Sequence, residues 1–169
     1  MPDVPMTKIH PIQSQHHADI ELLLDHCFGP GRFARTAERL REGNQQIEAY
    51  ARLYLDDGQV RGAISYWPIR IGDTPALLLG PLAVHPSLQG KGVGLALMRE
   101  SLKLIDQGRF KAVLLVGDLP YYERVGFAVG ADAIRMPGPV DRARLLVHVP
   151  DAMDAAALAG MVRPAPDLC

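Results

Sequence analysis

The sequence predicts a single α/β domain built on a mixed sheet, and three observations point there. First, Glu48 to Leu55 and Val60 to Ile71 alternate apolar and polar residues about Asp57-Gly58, a strong two-residue hairpin signal. Asp73-Thr74-Pro75 then turns the chain into Ala76 to Val84, so an antiparallel meander is expected. Second, Gly92 to Gly108 carries Val93, Leu97, Leu104 and Ile105 at helical spacing, with Gly108 suited to the position just past the helix. Third, Ala112 to Val116 is an unbroken apolar run, as expected of a strand buried on both faces. A length of 169 residues suits one domain with a substantial core.

The remaining elements follow in order. Thr7 to Pro11 reads as a short first strand ended by proline. From His16 to Phe28, Ile20, Leu23, Leu24 and Cys27 recur at helical spacing, and Gly29-Pro30-Gly31 stops that helix. Thr36 is a candidate N-cap, but Arg39 stands where a capping-box acid belongs, so the helix Ala37 to Arg41 is short. Pro120 suits the first turn of a short helix holding Tyr121 to Arg124, and Phe127 to Val129 opens another strand. Pro137, Gly138 and Pro139 interrupt the sheet, and Leu145 to Val149 is expected to close it. Residues 1–169 form one domain, with 151–169 an alanine-rich tail that packs as a short helix and then frays. No repeat or low-complexity block is present.

A hydrophobic share of 48% is ordinary for a soluble globule, and a formal charge of -1 offers no general attraction for nucleic acid. Cys27 and Cys169 lie far apart, which suggests neither a disulfide framework nor a metal cluster, and a reducing compartment is the natural reading. The amino-terminal stretch lacks the long apolar run of a signal peptide, and no segment approaches the ~20 apolar residues of a membrane helix. A cytoplasmic protein is expected.

The most informative segment is Leu77 to Gly94, LLLGPLAVHPSLQGKGVG. An apolar strand and a proline stop lead into a glycine-punctuated loop directly before a helix. Gln89, Gly90, Lys91, Gly92, Val93 and Gly94 thereby present backbone N–H groups at a helix N-terminus, where the peptide dipoles and unpaired donors favour phosphate. A Walker loop is excluded because Lys91 is followed by Gly92 rather than Ser or Thr. A dinucleotide fingerprint fits poorly, since five residues separate the strand from Gly90 and Leu95 replaces the third small residue.

The pattern Gln89-x-x-Gly92-x-Gly94 after Val84-His85-Pro86 resembles the acetyl-CoA loop of the GCN5-related N-acetyltransferase (GNAT) superfamily. The segment YYERVGF, Tyr121 to Phe127, is similar to that family's late YxxxGF element, and the two motifs stand in the family's order. The resemblance is firm from about Asp56 to Phe127 and loose outside it. It implies a strongly curved, mixed sheet of six to seven strands flanked by helices, and acetyl-CoA as acyl-donor cosubstrate without a metal. It further implies that the amides of Gln89 to Gly94 hold the CoA pyrophosphate, with Lys91 adding a charge-assisted contact. Strand Leu77 to Val84 would splay from Ala112 to Val116 and pair with the pantetheine arm through Leu82, Ala83 and Val84. Gly80-Pro81 fits a bulge there. Tyr122, at the family's interval from Gly126-Phe127, becomes the general acid that protonates the departing CoA thiolate, and an N–H near Val84 polarises the thioester carbonyl.

Other roles stay open in the sequence. Glu48, His85 or an ordered water are candidates for the base that deprotonates the amine. FGPGRFAR, Phe28 to Arg35, stands where family members place a substrate-lining loop, so Arg32 or Arg35 can bind a carboxylate or phosphate on the acceptor. Tyr66 and Trp67 either line the acceptor pocket or pack in the core. The expected activity is acyl-CoA-dependent acetyl transfer to an amine by direct attack, and the resemblance is compatible with a homodimer. Rival readings are a catalytically silent acyl-CoA-binding module, a tRNA-directed acetyltransferase toxin, which the balanced charge disfavours, and a dinucleotide-dependent oxidoreductase.

Overall fold

The computed structural model describes residues 4–150 and 153–169; expectations that touch residues 1–3, or 151–152 at the start of the tail, lie outside the described residues. In chain order the elements are β1 (Ile9–Pro11), α1 (His17–Phe28), β2 (Arg52–Asp56), β3 (Gln59–Ile71), β4 (Thr74–Val84), α2 (Val93–Ile105), β5 (Val113–Val116), α3 (Leu119–Tyr122), β6 (Ala128–Val129), β7 (Ile134–Arg135), β8 (Leu145–His148) and β9 (Gly160–Pro164). The segment between α1 and β2 is wound into short 3₁₀ turns, Pro30–Ala34 and Thr36–Leu40.

The sheet runs β1-β2-β3-β4-β5-β8-β6, with β1 to β4 antiparallel, β4 parallel to β5, and β8 antiparallel to both its neighbours. That path is the expected mixed sheet, and β9, paired with β3, and β7, paired with β9, extend it to nine strands where six to seven were expected. The β2–β3 hairpin closes on Asp57 (φ 47) and Gly58 (φ 73), two left-handed residues whose twist matches that of the flanking strands. Alternation along the strands sorts side chains to two faces. Tyr54, Ile64 and Tyr66 pack beneath Leu97 and Met98 of α2, while Leu53 and Ala63 pack beneath Leu23 and Leu24 of α1. β4 sends Leu77 and Leu79 to the α2 side and Ala76 and Leu78 to the other.

Several expectations are corrected. The second strand starts only at Arg52; residues 48–50 form a turn, pinned where the Ile47 N–H donates to the Tyr66 carbonyl at 2.8 Å. Thr36 caps nothing: it begins its 3₁₀ turn and donates its hydroxyl to the Pro139 carbonyl at 2.6 Å. The α2 contact line runs through Met98, Ser101 and Ile105, and Leu104 is 41% exposed. At ~100° per residue Leu104 lies on the edge of that stripe, in the last turn, where the sheet no longer covers it. β8 does not close the sheet but inserts between β5 and β6. The tail neither turns helical nor frays: after one 3₁₀ turn, Ala155–Ala157, β9 pairs with Ile69, Arg70 and Ile71 of β3 and with β7. Leu158 and Val162 are sealed in the core beside Ile69, Ile71 and Leu78.

Candidate active site

β5 makes four consecutive pairs with β8, yet only two with β4, Leu77↔Val113 and Leu78↔Leu114. Beyond these the parallel strands part, and β4 keeps a neighbour on one side only. The register decides which of its groups face the gap. The His85 N–H donates to the Arg61 carbonyl at 2.8 Å, which makes Gly62↔Val84 a non-hydrogen-bonded pair. Ala63↔Ala83 is then the pair that exchanges both bonds, and Leu82 and Val84 turn their N–H and C=O groups away from β3 into the gap. Ala83, expected with them, is thereby corrected: its backbone serves the ladder and its side chain lies under α1. The register slips between Ile64 and Tyr66, where Gly80 and Pro81 oppose the single residue Ser65, so the bulge stands where expected.

The gap opens into a cleft of about 520 Å³ bounded by Leu82, Val84, Gln89, Gly92, Gly94 and Tyr122. At its end the loop before α2 divides its amides. Those of Gln89 and Lys91 close the turn on the Pro86 and Leu88 carbonyls, each at 3.3 Å, whereas those of Gly90 and Gly92 make no hydrogen bond among the described residues. Val93 and Gly94 open the first turn of α2 and have no intrahelical acceptor. Gly92 is the N-cap, left-handed at φ 83, a conformation that costs any residue with a Cβ. The Gln89 side chain ties the loop to β4 by donating to the Val84 carbonyl at 3.3 Å, and the Cys27 thiol approaches the same oxygen at 3.5 Å.

Tyr121 and Tyr122 enter from the opposite wall, on α3. The turn after them closes on Gly126 (φ 88), which returns Phe127 to the core, its ring centroid 5.9 Å from that of Tyr122. The two tyrosine rings meet edge to face at 5.1 Å. Tyr121 reaches so close to α2 that a Cβ at Gly94 would collide with its hydroxyl, and Tyr122 leaves similarly no room for a side chain at Gly117. Neither hydroxyl is hydrogen-bonded to a described residue. Burial pushes the Tyr122 phenol up to about 12, with the neighbouring Tyr121 and Asp118 adding, so it holds its proton at neutral pH.

A second cleft of about 1260 Å³ meets the first, sharing Phe28, Leu82, Asp118, Tyr121 and Tyr122. Trp67 lines it, its indole N–H donating to the Gly80 carbonyl at 2.7 Å, whereas Tyr66 is fully buried in the core. Glu48 lines it, 3.7 Å from the His17 ring. His85 lines neither cleft: its ring stacks on His26 at 5.2 Å and its Nδ1 caps the following 3₁₀ turn. Arg32 is held by Glu21 (2.7 Å) and Asp25 (3.1 Å). Ser65 and Arg41, neither apparent as a site residue in the sequence, also line this cleft. Ser65 is 6% exposed and its hydroxyl has no hydrogen bond to a described residue. Its signal was a serine at an otherwise apolar position of β3; Arg41, the end of the segment expected as a short helix, carried no signal of its own. Among the described residues no group of three or more His, Cys, Asp or Glu side chains is placed to hold a metal ion.

A family model described as an acetyltransferase (GNAT) domain matches residues 42–129, and the chain belongs to the GNAT family. It is similar to the uncharacterized N-acetyltransferase YhbS of Escherichia coli strain K12, 30% identical over 118 residues that span 66% of this chain and 68% of that one. A crystal structure of Escherichia coli YhbS in complex with CoA matches with a TM-score of 0.75 at 25% identity, covering 95% of this chain and 90% of that one. A GNAT family acetyltransferase from Brucella melitensis in complex with acetyl-CoA matches with a TM-score of 0.58 at 29% identity, covering 86% and 97%. No helix among the described residues is long and apolar enough to cross a membrane.

Proposed function

We propose that this protein transfers an acetyl group from acetyl-CoA to an amine by direct attack, with Tyr122 as general acid. One observation carries the reading: β4 and β5 part over a cleft bounded by an amide-rich helix N-terminus and an unbonded tyrosine hydroxyl. The amides of Gly90, Gly92, Val93 and Gly94 hold the pyrophosphate, with Lys91 at its outer side and Gln89 anchoring the loop to β4. Leu82 offers its free backbone groups, and Val84 its N–H, to the pantetheine arm as a neighbouring strand would, while the Val84 carbonyl is held by Gln89. The amine reaches the thioester from the larger cleft. Its lone pair attacks the carbonyl carbon, a β4 N–H stabilises the oxyanion, and collapse breaks the C–S bond. Tyr122 gives its proton to the departing sulfur. Glu48 takes the amine's proton, directly or through water. Of the carboxylates in this cleft, Glu21, Glu38 and Asp118 are paired with arginines and Asp141 accepts the Ala143 N–H, while Glu48 has only His17. The reading takes the chain as one transferase domain working in the cytoplasm.

Thiol release from acetyl-CoA with a panel of amines tests it. Tyr122→Phe is expected to lower kcat by about 10²- to 10⁴-fold, toward the low end because a thiolate leaves well unaided, while CoA affinity is unchanged. Tyr121→Phe should cost far less. Full turnover by Tyr122→Phe, measured where chemistry is rate-limiting, removes Tyr122 as the acid. CoA binding without thiol release from any amine favours the silent acyl-CoA-binding module instead.

A further inference from the structure

We infer that the acceptor is an amine that also carries an oxyanion, a carboxylate or phosphate, and that Arg35 and Arg41 bind this group in the larger cleft. The inference rests on the transferase reading above and names the substrate class of the same site. Arg39 of the 3₁₀ segment turns away to the Pro137 carbonyl, and the three guanidinium groups that line the cleft, Arg32, Arg35 and Arg41, share three nearby carboxylates, of which Arg32 holds two, Glu21 and Asp25. Glu38 alone is left for Arg35 and Arg41, and it pairs with Arg41. Elsewhere in the cleft Asp118 is taken by Arg144, Glu48 faces His17, and Asp141 accepts the Ala143 N–H. Every lining carboxylate is thus engaged. Arg35, exposed at the rim, lies against the Phe28 ring at 5.5 Å and has no carboxylate partner among the described residues.

Arg41 lies deeper, its side chain 14% exposed, with one contact of 2.8 Å from Nη1 to Glu38 and a buried Nε that has no acceptor. Burial, with smaller repulsion from Arg35 and Arg32, holds its guanidinium below the ordinary arginine range. A substrate oxyanion in the cleft neutralises the repulsion and gives an acceptor to Nη2, which makes no hydrogen bond to a described residue, and a planar fork is suited to it. The position sets the reach. A Cβ at Gly80 would meet Arg41 Nη2 at 2.9 Å, so the guanidinium borders the β4 bulge, two residues from Leu82. An oxyanion held there lies on the β4 side of the cleft, near Leu82, and the two guanidinium groups disfavour cationic groups at that end.

The test compares kcat/KM, with acetyl-CoA saturating, for ω-amino acids from glycine to 6-aminohexanoate, their carboxamides, 2-aminoethylphosphonate, ethanolamine phosphate and spermidine. At least one oxyanionic amine should exceed its neutral counterpart by more than tenfold, and the carboxylate and phosphorus arms tell the two sources apart. Arg35→Gln, at an exposed position, should reduce that preference at least fivefold. Arg41→Lys, which keeps the charge but loses the fork, should do the same, with CoA calorimetry and the thermal midpoint reporting the fold of each variant. Carboxamides or spermidine used as well as the acids overturn the inference while leaving the transferase reading intact, as does an unchanged preference in Arg35→Gln. No thiol release with any amine, while acetyl-CoA still binds, overturns both.

Discussion

Gly92 stands where backbone conformation and ligand charge meet. Its φ of 83 places it in the left-handed region, and its N–H is unbonded at the N-terminus of α2. A Cβ there would lie 3.5 Å from Val4, an ordinary contact, so substitution is limited by strain and charge rather than by space. Asn tolerates this conformation better than most residues and is neutral. Gly92→Asp is expected to weaken CoA binding by more than tenfold, over ~1.4 kcal/mol, and Gly92→Asn by less, because only Asp opposes the pyrophosphate charge. Calorimetric titration of the two folded variants checks this; equal affinities would remove the phosphate assignment. Tyr66 shows how a residue can mislead: its ring is buried beneath α2, and its hydroxyl neighbours Ser101 without forming a well-aligned hydrogen bond.

At the scale of elements, α2 both presents the loop and fills the core, so its face determines the loop's position. Leu97 is fully buried and Leu104 is 41% exposed. Leu97→Ala should cost about 2–5 kcal/mol through lost transfer energy and the cavity left behind. Leu104→Ala should cost under about 1 kcal/mol. Urea midpoints measure both, and a reversed ranking would mean that the helix is rotated. β9 offers a second check. A chain ending at residue 157 loses Leu158 and Val162, buried at 0% and 1% exposure, together with the pairing to β3. At roughly 1.5–3 kcal/mol per buried side chain, truncation should cost about 3–6 kcal/mol. A truncated protein as stable as the full chain would show that β9 is an accessory.

For the whole molecule, buried phenols set an alkaline limit. Tyr66, Tyr121 and Tyr122 are all raised by burial above the ordinary tyrosine value of 10, Tyr122 to about 12. A group raised on folding contributes fully below its unfolded pKa, and the contribution disappears as pH rises through the folded one. Stability should therefore hold up to about pH 10 and fall between about 10 and 12, by about 1 kcal/mol at pH 11 from Tyr122 alone. Urea midpoints from pH 8 to 11 test this, and Tyr122→Phe should flatten the decline. A flat profile for the unaltered protein would mean that these hydroxyls are open to water.

The sequence alone determined whatever depends on neighbours along the chain. Asp57-Gly58 specifies its hairpin because both residues tolerate left-handed backbone. Gln89 to Gly94 specifies a turn that leaves amides unbonded at a helix start because glycine and a helix start are local properties, and YYERVGF carries its turn in Gly126. Only the tertiary structure decided what depends on which segments meet. That Leu82 and Val84 face the gap while Ala83 does not follows from the β3–β4 register. That Arg32 is neutralised while Arg35 is open follows from where α1 lays Glu21 and Asp25. That an alanine- and proline-rich tail forms a strand follows from the edge that β3 offers it. Side-chain type and backbone preference are local, but burial and charge pairing belong to the assembled sheet, and the larger cleft is built from those.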